Sequence, residues 1–245
     1  MIDVVTTVAV LVLAVCIIMA AYRVIAGPSQ PDRVIALDVI AVILTFSRAG
    51  FLTLAVIFMV YQWKLHKRRE RGWAVAALVI ALVCIPLLPS GYLDRLSTIT
   101  DTEADQTGSA QERWSDMVSA ASFVLRNPII GAGVGMNILA LNEERGHSWQ
   151  NVHNVYLQYT VDLGVPGLVL FLLLMVGCIK SAIFVQRRSA GVPAFRDLFS
   201  LAEGIQISLI AFAVAALFHP AAYHFYFYYI AGLAVAVKAV YETEN

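Results

Sequence analysis

Three side chains in this sequence are suited to acid–base catalysis or anion binding: one histidine and two arginines. His153 follows a polar stretch and opens the segment HNVYLQY, directly before an apolar run. An imidazole, with an ordinary pKa of about 6.5, can accept or donate a proton near neutrality. A histidine at this position could equally cap a helix or lie at a membrane interface. We expect its neighbours Asn154 and Tyr156 to orient it.

The two arginines are Arg48, inside an apolar run, and Arg113, in the segment QERW. A guanidinium stays charged at any working pH, and its planar fork donates paired hydrogen bonds to phosphate oxygens. A charge in hydrocarbon is costly, so Arg48 needs either a partner or a position at the membrane edge, where it can extend outward. From the residues alone, Arg113 is better explained as a surface arginine beside Glu112.

Asp38 is a carboxylate within another apolar run, which makes it a candidate for a proton or ion path. Helix pairing with Arg33 or Arg48 is the structural alternative. Other histidines occur at His147, His219 and His224. No metal-ligand spacing such as HExxH is present, so we predict no metal and no cofactor. The glycine-rich segment 127–135, NPIIGAGVG, lacks the lysine of a phosphate-binding loop, and we expect its glycines to permit close backbone turns.

The composition indicates which elements must position these residues. Hydrophobic residues make up 60% of the chain and charged residues only 14%, far from the balance of a soluble domain. No basic patch interleaved with aromatics stands apart from the apolar runs, which argues against nucleic acid as a partner. The three cysteines lie inside apolar runs, where they resemble small buried residues. The bilayer is therefore the expected solvent, with membrane lipid as a partner.

The apolar runs predict an all-α integral membrane protein with about six transmembrane helices and a large extracytoplasmic loop containing short helices. The predicted spans are residues 4–22, 34–63, 73–88, 164–184 and 198–218, with a sixth ending near Tyr241. The first lacks a basic start and a small-residue cleavage pattern, so we expect it to be a retained span.

Lysine and arginine placement predicts the orientation. Basic stretches at 64–71 and 187–196 should be cytoplasmic, which puts the acidic section at about 90–152 on the periplasmic side. Arg23 and Arg33 make the first loop look cytoplasmic as well, although the segment 34–63 is hard to fold into two crossings. We therefore predict a junction of two different parts near residue 42.

Two family resemblances match this division. The ordered segments LTFSRAGFLTL, GSAQERW, NPIIGAGVG and HNVYLQYTVDLGVPGLVLFLLL resemble the C-terminal half of the O-antigen ligase and O-antigen polymerase family. The segment YRVIAGPSQPDRVIALDVIAV is similar to the small F-type membrane component of multi-subunit sodium/proton antiporters. The predicted organisation is an antiporter-like membrane segment at 1–42 and a ligase-like membrane domain at 43–245, hence a fusion or chimeric chain.

The ligase resemblance implies a metal-independent glycan transfer at the periplasmic face of the bacterial inner membrane, in a multi-pass protein. The donor would be a polyprenyl-diphosphate-linked oligosaccharide, and the acceptor a glycolipid or growing glycan. By the same resemblance, Arg48 and Arg113 would bind the diphosphate and His153 would be catalytic. Family members usually carry more spans, so a partner membrane chain would supply the missing helices.

Two alternatives follow from the same sequence. The first is an accessory subunit of a monovalent cation/proton antiporter, with Asp38 on the ion path. The second is a non-catalytic, truncated membrane fragment that only folds in the bilayer. The length of each resemblance favours the ligase, because the antiporter-like segment is short.

Overall fold

The computed structural model of the chain describes residues 47–66, 109–142, 145 and 149–244. The chain divides into two compact units, residues 1–104 and 105–245. In the first unit the described part is the apolar helix α1, Arg48–His66. The Ser47 hydroxyl accepts a hydrogen bond from Gly50 N at 3.1 Å, and this satisfies one of the free N–H groups at the start of α1.

The described part of the second unit is also helical. Its elements are α2 (Ser109–Arg126), α3 (Asn137–Asn142), α4 (Val155–Ser189), a 3-10 turn (Pro193–Phe195), α5 (Arg196–Ala215) and α6 (Phe225–Glu244). Within the described residues no strand occurs, which confirms the all-helical class. The helices α2 and α3 lie in the section predicted to form the large loop.

Helix α2 is amphipathic and packs on α4 through its narrow apolar face. Glu112 in its first turn and Arg126 in its last turn complement the helix dipole. Ala120 is fully buried in a small core with Val152 and Val161, and Phe123 packs against this core one turn along α2. This contact holds the polar section against the N-terminal part of α4.

Helix α4 contains a break at Gly164, whose φ of 69° and ψ of −176° are not helical. Two residues later, Pro166 lacks the N–H that would normally bond to Asp162 O. The loop after α2 supplies the missing hydrogen bonds: Ala132 N donates to Val161 O at 2.7 Å, and Gly133 N donates to Asp162 O at 2.8 Å. Val165 N in turn donates to the Pro128 carbonyl at 2.8 Å.

This close approach explains the glycines of NPIIGAGVG. A Cβ on Gly131 would lie 2.6 Å from Val161 O, and one on Gly164 would lie 2.3 Å from Ile129 O. Gly131, Gly133 and Gly135 all have positive φ. The expectation that these glycines permit close backbone turns is therefore confirmed.

The largest core lies between α4, α5 and α6 and is rich in aromatic rings. Tyr159 stacks on Phe171 with ring centroids 4.5 Å apart, and Phe171 meets Phe227 edge to face at 5.0 Å. Phe212 of α5 lies 5.3 Å from the same Phe227 ring. These contacts bring the beginning of α4, the end of α5 and the beginning of α6 to one end of the bundle.

Two stretches in the described part of the chain, Val155–Ser189 and Pro193–Ala215, are long and apolar enough to cross a membrane. Only 28% of the most apolar window of each is buried, so most of their apolar side chains face outward. That pattern suits lipid contact better than a soluble core. The spans predicted at 4–22 and 73–88 lie outside the described residues, and the total of six spans stays a prediction.

Candidate functional site

The junction between the polar section and α4 positions His153. The next residue, Asn154, caps α4, because its Oδ1 accepts a hydrogen bond from the backbone of the first turn at 3.0 Å. Its Nδ2 donates to Leu217 O at 3.3 Å, and the Tyr156 hydroxyl donates to Ala213 O at 2.7 Å. Asn154 and Tyr156 thus attach the start of α4 to the end of α5 and the loop beyond it, and His153 lies at a fixed backbone position.

The His153 side chain lies beside Asp116 of α2. His153 Nδ1 is 3.9 Å from Asp116 Oδ2, while the other carboxylate oxygen, Oδ1, is 3.0 Å from Arg145 Nε. The Asp116 and Arg145 side chains are only 10% and 3% exposed. Arg145 Nη1 also donates to the Gln150 carbonyl at 2.7 Å. Arg145 therefore anchors the carboxylate, and Oδ2 is left next to the imidazole.

The surroundings of His153 favour its neutral form. Burial lowers the pKa of His153, and the positive charges of Arg113 and Arg145 lower it further. Asp116 acts in the opposite direction. Burial raises the pKa of Asp116, and Arg145 and His153 oppose that rise. At neutral pH the imidazole can therefore accept a proton.

Arg113 belongs to the same group of side chains. It lies one helical turn before Asp116 on α2, it is exposed, and the described residues give it no ion-pair partner. Desolvation lowers the pKa of His219, and the charge of Arg113 lowers it further. His219 comes from the loop between α5 and α6. The structure thus brings Arg113, His153 and His219 together from three separate parts of the sequence.

The other two predicted site residues are not part of this group as described. Arg48 is the first residue of α1, in the other unit of the chain, and its side chain lies outside the described residues. Asp38, proposed for an ion path, lies outside the described residues altogether. Both assignments stay predictions.

Three polar residues near the site were not anticipated from the sequence. Asp116 follows Glu112 by four residues and Arg113 by three, so helical spacing would have placed it on their face. Arg145 and Asp162 carry no comparable local signal. Asp162 is fully buried, and its Oδ2 accepts hydrogen bonds from Gly135 N and Asn137 Nδ2, both at 3.2 Å, and from the Tyr223 hydroxyl at 2.9 Å.

The described residues contain no group of three or more histidine, cysteine, aspartate or glutamate side chains that could hold a metal ion. The chemistry available at the site is therefore that of one imidazole, one carboxylate and two guanidinium groups. An imidazole beside a carboxylate can move a proton, and an exposed guanidinium can hold an anion.

The outward-facing apolar helices and this polar junction define a membrane protein with a basic, histidine-containing site next to a span. Residues 34–172 match the sequence model of the family described as O-antigen ligase. The match covers more than half of the chain, and the chain belongs to the O-antigen ligase family. It includes Arg48, Arg113 and His153. No curated protein and no solved structure matches the chain significantly.

Proposed function

We propose that this protein transfers a glycan from a polyprenyl-diphosphate-linked oligosaccharide to a hydroxyl of a glycolipid or growing glycan. The reaction takes place at the periplasmic face of the bacterial inner membrane. Membership of the O-antigen ligase family supports glycan transfer of this type. The structural observation that carries the proposal is a neutral imidazole, His153, beside the anchored Asp116 carboxylate at the start of the apolar helix α4.

The diphosphate leaving group needs positive charge. Arg113 is suited to this role because it is exposed and has no ion-pair partner among the described residues. Its guanidinium would donate paired hydrogen bonds to phosphate oxygens and stabilise the charge that develops on departure. Arg48 is proposed as the second diphosphate ligand from the matching family motif. No metal is needed if two guanidinium groups neutralise the diphosphate.

His153 would act as the general base. Its free ring nitrogen, Nε2, takes the proton of the acceptor hydroxyl while that oxygen bonds to the anomeric carbon of the donor sugar. The bond from that carbon to the phosphate oxygen breaks, and the diphosphate leaves with the electron pair. Asp116 would stabilise the imidazolium through Nδ1; the 3.9 Å separation is compatible with this, since catalytic contacts often tighten when substrate binds. A single displacement of this kind inverts the sugar carbon.

The proposal is tested by replacing His153 or Arg113 with alanine in a strain that depends on this gene for attaching surface polysaccharide. We expect each variant to abolish attachment, scored by gel analysis of surface glycan. Arg126→Ala is the matched control, because Arg126 is an exposed arginine at the other end of the same helix. It should leave attachment intact.

A purified assay with the lipid-linked donor separates the two roles. His153→Ala should lower kcat by a factor of about 100 or more, as expected for loss of a general base. Arg113→Lys should retain part of the activity, because it keeps the charge and loses the paired hydrogen bonds. Full transfer by His153→Ala would disprove the assignment. An inactive wild-type protein would favour the non-catalytic fragment instead.

A further inference from the structure

A cleft beside His153 is not used by the proposed mechanism. It has a volume of about 480 Å³ and opens between the end of α5, the following loop and the beginning of α6. Volumes of this size are typical of small-molecule sites, which are about 300–1,000 Å³. Its lining consists of Asn151, Phe212, Ala215, Ala216, His219, Pro220, Ala221, His224 and Tyr226.

The cleft adjoins the candidate catalytic group on two sides. Asn151 lines it and also makes a backbone hydrogen bond with His153. His219, also in the lining, is close enough to Arg113 and His153 to be affected by the charge of both. A ligand in the cleft would therefore have one end near the imidazole of His153.

The lining chemistry suits an uncharged polar ligand with a flat apolar face. None of the lining residues is a lysine, arginine, aspartate or glutamate, in contrast to the neighbouring Arg113, Asp116 and Arg145. The rings of His224 and Tyr226 are inclined by only 31°, with centroids 6.0 Å apart, and form a shallow aromatic platform. Asn151 and His219 add hydrogen-bonding groups. Aromatic faces with a few polar groups match the C–H face and hydroxyls of a pyranose ring.

We propose that this cleft binds a neutral sugar ring of the acceptor, with Tyr226 as its stacking surface. The inference rests on the proposed function, because it assigns the sugar to the acceptor from its closeness to the proposed base. A diphosphate is a poorer occupant, since the lining offers no cation. The competing explanation is that Tyr226 only belongs to a belt of aromatics at the lipid headgroups.

The chain offers a close control for the test. Tyr229 lies on the same helix and is 66% exposed, compared with 54% for Tyr226, but it does not line the cleft. Both tyrosines would serve equally as headgroup-belt residues. Only Tyr226 should affect sugar binding.

The experiment is saturation-transfer NMR on the full chain in lipid nanodiscs, with methyl glycosides of glucose, galactose, rhamnose and N-acetylglucosamine as probes. At least one should show transfer to its ring protons. Tyr226→Ala should weaken that binding about fivefold, while Tyr226→Phe and Tyr229→Ala should not. Equal binding by Tyr226→Ala and wild type, or no binding of any probe, would overturn the inference.

A transfer assay distinguishes failure of this inference from failure of the proposed function. With donor saturating, Tyr226→Ala should raise the acceptor KM about fivefold and leave the donor KM unchanged. Transfer with an unaltered acceptor KM would remove the cleft and keep the function. Sugar binding without any transfer would remove the function and keep the cleft as a glycan site.

Discussion

The role of His153 depends on residues that lie far from it in the sequence. The imidazole is next to Asp116, which Arg145 holds at 3.0 Å, and Arg113 contributes a further positive charge. Together these groups favour a neutral ring next to a carboxylate, the arrangement required of a general base. The same histidine without Asp116 would only be an interfacial residue.

The pKa of His153 should be below its ordinary value of 6.5, because burial and Arg113 disfavour the charged ring. Arg113→Gln should raise this pKa, since it removes a positive charge. Asp116→Asn should lower it, since it removes a negative one. NMR titration of the His153 ring measures both shifts. The same midpoint in wild type and both variants would contradict this electrostatic account.

The buried pair of Arg145 and Asp116 should contribute strongly to stability once formed. Arg145→Met leaves the buried carboxylate without its cation, which we expect to cost about 3 kcal/mol. Lys238→Met breaks the exposed pair with Glu242, whose side chains are 40% and 56% exposed, and should cost less than about 1 kcal/mol. Denaturant unfolding in micelles compares the two. Similar losses would mean that burial of the pair is unimportant.

At the scale of elements, the break in α4 joins the site to the membrane part. Gly164 interrupts the helix, and the loop 128–133 takes over its free hydrogen-bonding groups. The long helix beyond the break begins at Val165, next to the predicted start of the fourth span at residue 164. The break therefore fixes the loop, and with it α2 and Arg113, on the N-terminal part of α4.

Gly164→Ala should disrupt this junction. Its φ of +69° is strained for alanine, and the new Cβ would lie 2.3 Å from Ile129 O, so we expect a loss of about 2 kcal/mol or more. Gly177→Ala, later in the same helix, has nothing within 4 Å and should stabilise by about 0.5–1 kcal/mol. Thermal unfolding measures both. Equal effects would show that the loop contact does not constrain Gly164.

At the scale of the whole second unit, polar groups of opposite function lie at opposite ends of the helices. The N-terminal end of α4 carries His153 and its partners, and it contacts the loop between α5 and α6. The other end of α4 carries Arg187 and Arg188 before the turn into α5. This asymmetry supports the orientation predicted from the sequence.

Topology reporters should therefore give opposite signals at the two ends. Fusions after residues 120 and 220 should report the periplasm, and a fusion after residue 190 should report the cytoplasm. Alkaline phosphatase and green fluorescent protein, which are active on opposite sides, provide the measurement. A cytoplasmic signal at 120 would separate the proposed site from a periplasmic donor and would defeat the proposed function.

The sequence alone determined the helical class, the outline of the apolar runs after residue 164, and the position of His153 just before an apolar helix. These features are local, because hydrophobic runs, capping residues and charge clusters act over a few turns of chain. It also identified Arg113, through a family motif whose match covers residues 34–172.

Only the tertiary structure decided which side chains surround His153 and how α4 is broken. Asp116 and Arg145 reach His153 because α2 and the segment after α3 pack against the start of α4, and the cleft exists because α5 and α6 meet there. The break at Gly164 is stable because a loop well before it in the sequence supplies its hydrogen bonds. Such contacts depend on packing between distant segments, which no local pattern specifies.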